Sequence, residues 1–165
     1  MWQHLLIFIP LVVICLELFL PNLGNTVRII VTSLVIIGSW LALRQAKPSW
    51  KRVVSTSCTS LGGAVVTFIL SNHFQLGPVV ASGLVGVLGA QVLAEERQLQ
   101  LYLGAFVGMS SALRFPKFLP LILAGALGGV LFELLKEAWS GVGGRLGTLA
   151  ATAVLIVLVV GGGGW

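Results

Sequence analysis

Seven stretches of this chain are almost wholly apolar, with short polar or charged segments between them: about 5 to 20, 27 to 43, 53 to 71, 78 to 94, 99 to 113, 118 to 135 and 146 to 162. At about 1.5 Å of rise per residue, a helix over most of these runs reaches across a hydrocarbon layer of roughly 30 Å. The pattern predicts an all-α fold, a polytopic transmembrane helical bundle of seven spans that forms one integral membrane domain over residues 1–165.

The fifth run is the exception. It is uncharged only from Gln98 to Leu113, between Arg97 and Arg114, which gives about 24 Å of straight helix. Either it spans as a short helix whose arginines reach out to the interface, or residues 98–114 dip in and return as a re-entrant segment, leaving six spans. Gly104 and Gly108 suit both readings, as a small-residue packing seam or as a bend. The loop cations divide seven against three whichever is chosen. The full seven spans are the preferred expectation.

Composition agrees with the pattern. The chain is 57% hydrophobic and 9% charged, with a mean hydropathy of +1.04, whereas a typical soluble domain is about 45–50% apolar and about 25% charged. The bilayer is thus the expected main partner. Four of the ten cations, Arg44, Lys47, Lys51 and Arg52, fall in one short loop. The positive-inside rule puts that loop, and the N-terminus two helices earlier, in the cytoplasm of a multi-pass cell-membrane protein. The five tryptophans sit near run ends, where amphipathic rings favour the headgroup level. The net charge of +5 forms no long basic face, so nucleic acid is not an expected partner.

Met1-Trp2-Gln3-His4 lacks the basic start of an export signal, and Ile14 stands before Cys15 where a lipoprotein signal has a small residue. The first run therefore reads as a retained helix. Cys15 and Cys58 fall in separate runs with no ligand at metal spacing, so no metal or cofactor is expected. The chain contains no Asp, and His4 and His73 lie away from any suggestive nucleophile. Catalysis is not expected.

Glycine divides the chain unevenly. Two of the 21 glycines precede residue 61, so 1–60 is a Gly-poor part and 61–165 a Gly-rich one. Within the latter, residues 82–108 and 124–147 share a faint likeness: Ser82-Gly83-Leu84-Val85-Gly86 aligns with Ala124-Gly125-Ala126-Leu127-Gly128, and a second glycine-rich stretch follows each. Such a repeat would suit a transporter, where sites lie between repeats; tight packing through small residues explains it equally.

Three polar features are candidates for function. The run Ser55-Thr56-Ser57-Cys58-Thr59-Ser60, followed by Gly62 and Gly63, suggests either hydroxyls bonded back to the preceding turn or a hydrated vestibule with bared carbonyls. Glu133, and less so Glu17, places a carboxylate in apolar surroundings, which marks a functional candidate unless Lys136 pairs with it locally. Gly143, Gly144 and Arg145, ahead of Thr148, resemble a backbone nest for an anion but lack a phosphate-loop pattern.

These features support a small transport protein, channel or secondary carrier, for a small solute or ion. The pathway residues are Ser57, Ser60, Gly62, Gly63, Gly104, Gly108, Ser110 and Glu133, and so small a transporter is expected to be a homo-oligomer, a dimer being the simplest. The alternative is a non-transporting subunit or assembly factor in a larger membrane complex, docking another membrane protein through its small-residue seams.

Overall fold

A computed structural model of the chain describes residues 48–112, 115, 118–136 and 143–161. The expected runs at 5 to 20 and 27 to 43, the N-terminal orientation, Cys15, Glu17 and Arg114 lie outside the described residues. The chain divides into two compact units. One comprises Met1–Lys47 with Leu134–Gly143, of which only 134–136 and 143 are described; the other comprises Pro48–Glu133 with Gly144–Trp165 and contains nearly all that follows.

All regular secondary structure among the described residues is helical, with no strand among them. In chain order the helices are α1 (Trp50–Phe68, continued by a π-turn at Ile69–His73), α2 (Pro78–Val92), α3 (Glu95–Gly108), α4 (Phe118–Leu135) and α5 (Arg145–Val160). Trp50–His73 and Phe118–Leu135 are long and apolar enough to cross a membrane; Pro78–Val92 and the apolar part of α5 are shorter. The last five apolar runs thus correspond to five helices, two of which reach spanning length.

Local chemistry explains the boundaries. Pro78 opens α2 at the first helical position, where its missing N–H costs nothing, and Gly77 just before it has φ +79°. α2 and α3 are joined through Leu93 and Ala94, both extended. Gln98 then reaches back: its Nε2 donates to the Leu93 carbonyl at 2.7 Å and to that of Ala90 at 3.4 Å, satisfying acceptors that the end of α2 leaves open. α3 starts earlier than its apolar run because exposed Glu95 and Glu96 occupy its first turn, where the helix dipole favours negative charge.

The backbone stays α-helical through both Gly104 and Gly108. The alternative of a bend there is corrected: each glycine lies flat against α1 instead. A Cβ on Gly104 would overlap the Ser60 carbonyl, and one on Gly108 would overlap that of Ala64. A Cβ on Gly129 of α4 would run into the backbone of Ser57, and one on Gly125 would stand 3.1 Å from Leu61 Cα. Along the contacts, 104 and 108 match 60 and 64 in the same order, while 125 and 129 match 61 and 57 in reverse. α3 therefore runs parallel to α1 and α4 antiparallel to it.

α3 is the hub of this unit, with α1, α2 and α5 against it. Its Leu101 and Tyr102 side chains lie over Gly89 and Gly86 of α2. α5 buries Leu149, Ala150, Ala153 and Val157, a single stripe at helical spacing. The outward face of α2 is apolar yet uncovered, with Val79 72% and Val92 81% exposed. The aligned glycines of the 82–108 and 124–147 likeness differ in surroundings: Gly83 meets open space while Gly125 packs on α1.

Candidate functional site

The hydroxyl-rich start of α1 separates into two kinds of group. Thr59 Oγ1 donates to the Ser55 carbonyl at 3.0 Å, the back-bonding expected of such a residue on a helix. Ser57 Oγ and Ser60 Oγ are buried without any hydrogen-bond partner, although Ser60 is 0% exposed. Leaving a buried polar group unpaired costs about 1–3 kcal/mol, so these two are not explained by local satisfaction.

Ser60 stands where three helices meet. Its carbonyl abuts Gly104 of α3, and its hydroxyl lies 3.5 Å from the position of a Cβ on Gly128 of α4, a position also 3.8 Å from Leu103 and Val107 of α3. Ser57 faces α4 at Gly129. The glycines draw the helices together and leave the hydroxyls in the seam.

Of the three other buried oxygens without a partner, Thr67 Oγ1 belongs to the far end of α1, against Gly108, and two belong one turn beyond the glycine seam on α3 and α4. Gln100 Oε1 is buried and unpaired, in a residue 5% exposed, and Glu133 Oε2 is buried and unpaired. Gln100 precedes Gly104 by four residues, and Glu133 follows Gly129 by four. Residues four apart share a helix face, so each continues the glycine seam by one turn. Because α3 runs with α1 and α4 against it, one turn back on α3 and one turn on along α4 both lead toward the N-terminal end of α1, where Thr56 and Ser57 lie. Helical side chains tilt toward the start of their own helix. Ser57 thus tilts away from the glycine seam and Glu133 tilts back toward it.

The other expected site residues are scattered. α1 is helical through Gly62 and Gly63; Gly63 packs against the Leu101 backbone, while nothing lies within 4 Å of a Cβ on Gly62. Ser110 is half-buried in the turn after α3, its N–H donating to the Val107 carbonyl at 3.2 Å. Gly143 and Gly144 are exposed, and Gly144 has φ +77°. Arg145 spreads its guanidinium 5.0 Å from the Phe132 ring centroid, a cation–π contact that turns it onto α4. Thr148 Oγ1 donates back to the Gly144 carbonyl at 3.2 Å.

Gln100 and Gly129 escape a reading based on residue type alone. Their signal is spacing: Gln100-Gly104-Gly108 and Gly125-Gly129-Glu133 are both polar-plus-glycine stripes with a period of four. A separate recess of about 510 Å³ lies at the π-turn, lined by Phe68, Ile69, Asn72, His73 and Phe118. Among the described residues no group of three or more His, Cys, Asp or Glu is placed to hold a metal ion. Compared with known proteins, the chain matches no family, no curated protein and no solved structure.

Proposed function

We propose that this chain is a small multi-pass membrane transport protein, and that the polar end of the α1–α3–α4 junction is where its solute or ion is handled. One observation carries this reading: of five buried side-chain oxygens that lack hydrogen-bond partners among the described residues, four, from Ser57, Ser60, Gln100 and Glu133, belong to this part of the junction in a chain that is 57% hydrophobic. Ionisable and polar groups at membrane depth are costly and mark substrate or ion pathways. A parallel pair of α1 and α3, two apolar runs apart, and an antiparallel α4 fit successive crossings. Seven spans, a cytoplasmic N-terminus and a dimeric assembly complete the proposal.

The docking reading loses its main support, since the Gly104, Gly108, Gly125 and Gly129 seams are taken up within the chain. Purified protein in liposomes, assayed with a panel of small ions and metabolites, tests the proposal. Flux by the wild type that falls at least about tenfold in Glu133→Gln, a loss equivalent to about 1.4 kcal/mol, supports it; absence of flux across the panel, or flux unchanged in Glu133→Gln, overturns it.

A further inference from the structure

We propose that the α1–α3–α4 junction binds one monovalent cation through Ser57 Oγ, Ser60 Oγ, Gln100 Oε1 and Glu133 Oε2, an assignment that rests on the reading of this junction as the working site. All four atoms are oxygens, all are buried, and none has a hydrogen-bond partner. Ser60 and Gln100, 0% and 5% exposed, are beyond the reach of bulk water that would otherwise satisfy them. Hydroxyl, amide and carboxylate oxygens are hard donors that replace the hydration shell of a hard cation, and they disfavour metals that prefer nitrogen or sulfur.

Charge selects among hard cations. Glu133 supplies one negative charge, which one monovalent ion neutralises, whereas a divalent ion would leave a net positive charge in a medium of low dielectric constant. Of the other charged residues at these helix ends, Lys136 lies three residues beyond Glu133 at the end of α4 and is half-buried, and its positive charge argues further against a divalent ion. Lys51 and Arg52 of α1 and Glu95, Glu96 and Arg97 of α3 are exposed, and Arg145 is turned onto Phe132. The packing glycines contribute by what they lack: without a Cβ, Gly104 and Gly129 let the α3 and α4 backbones close onto Ser60 and Ser57 of α1.

The full chain, purified in detergent, is titrated with 22Na⁺ in a scintillation proximity assay, with unlabelled Na⁺, K⁺, Li⁺ and Ca²⁺ as competitors. Saturable binding of one ion per chain, displaced by a monovalent competitor at lower concentration than by Ca²⁺, is expected. Glu133→Gln should weaken binding at least about tenfold, and Ser57→Ala and Ser60→Ala by about three- to tenfold each. Thr59→Ala, which removes a hydroxyl already bonded to Ser55, should leave the affinity unchanged. Helicity and thermal midpoint are recorded for every variant, and Ser57→Ala carries the test if Glu133→Gln does not fold. Absence of saturable binding to folded wild type, wild-type affinity in a folded Glu133→Gln or Ser57→Ala variant, or tighter competition by Ca²⁺ would overturn the assignment. Binding without flux in liposomes keeps the site and removes the transport reading; flux without cation binding does the reverse.

Discussion

Ser60 and Gly104 meet backbone to backbone: the Ser60 carbonyl oxygen stands where a Cβ on residue 104 would be built. In a bilayer, lipid competes for apolar contact as well as protein does, so helices associate through close packing rather than through exclusion of water. The contact between these two residues lets α3 approach α1 closely enough to enclose the Ser60 hydroxyl. It leads directly to a contrast between glycines.

Gly104→Ala should destabilise the protein by about 1–3 kcal/mol or more, because a rigid carbonyl cannot yield to the added methyl. Gly62→Ala, on a face with nothing within 4 Å, should be neutral or stabilising by up to about 1 kcal/mol through helix propensity. Thermal unfolding in detergent checks both; equal effects would place Gly104 outside the seam.

On α4 the sensitive position is Gly129. A Cβ there collides with the Ser57 backbone, whereas one on Gly128 would find only ordinary contacts at 3.5–3.8 Å. Gly129→Ala should therefore lower the thermal midpoint clearly while Gly128→Ala is tolerated. The reverse order would show that α4 is rotated about its axis relative to the arrangement described here.

Asn72 ties the π-turn to the segment after α3. Its Nδ2 donates to the Phe68 carbonyl at 3.1 Å, and its Oδ1 accepts from the Ala112 N–H at 3.3 Å. Asn72→Ala removes both bonds and should cost about 1–3 kcal/mol at typical net values of about 0.5–1.5 kcal/mol per bond. Asn72→Asp keeps the acceptor for Ala112 and should cost less. Hydrogen exchange at the Ala112 amide distinguishes the two variants, rising in Asn72→Ala and staying protected in Asn72→Asp.

Topology is checked by labelling. In a background lacking Cys15 and Cys58, a single cysteine at His73, exposed beyond the far end of α1, should react with an impermeant thiol reagent from outside intact cells. One at Lys51 should react only after the membrane is opened. With seven spans a cysteine at Trp165 should react from outside and one at Gln3 should not. Protection of the Trp165 position would reduce the count to an even number.

The sequence by itself determined roughly where the described helices lie, although α3 is shifted four to five residues toward the N-terminus of its run. The apolar runs at 78 to 94, 118 to 135 and 146 to 162 match α2, α4 and α5 within two residues, because hydropathy along the chain and proline or glycine at the ends are local properties. It offered close packing through small residues in the second half as one of two readings. It left open whether Gly104 and Gly108 pack or bend, and whether the hydroxyls of α1 bond back to the preceding turn or line a pathway. Only the tertiary structure decided these, because both depend on what the neighbouring helices bring. The Ser60 carbonyl on Gly104 explains why that residue is glycine within an unbroken helix, and the approach of α4 separates Ser57 and Ser60, buried and unpaired, from Thr59, which bonds its own backbone. The placement of both Gln100 and Glu133 toward the N-terminal end of α1 likewise follows from helix direction, because α3 runs parallel to α1 and α4 antiparallel to it.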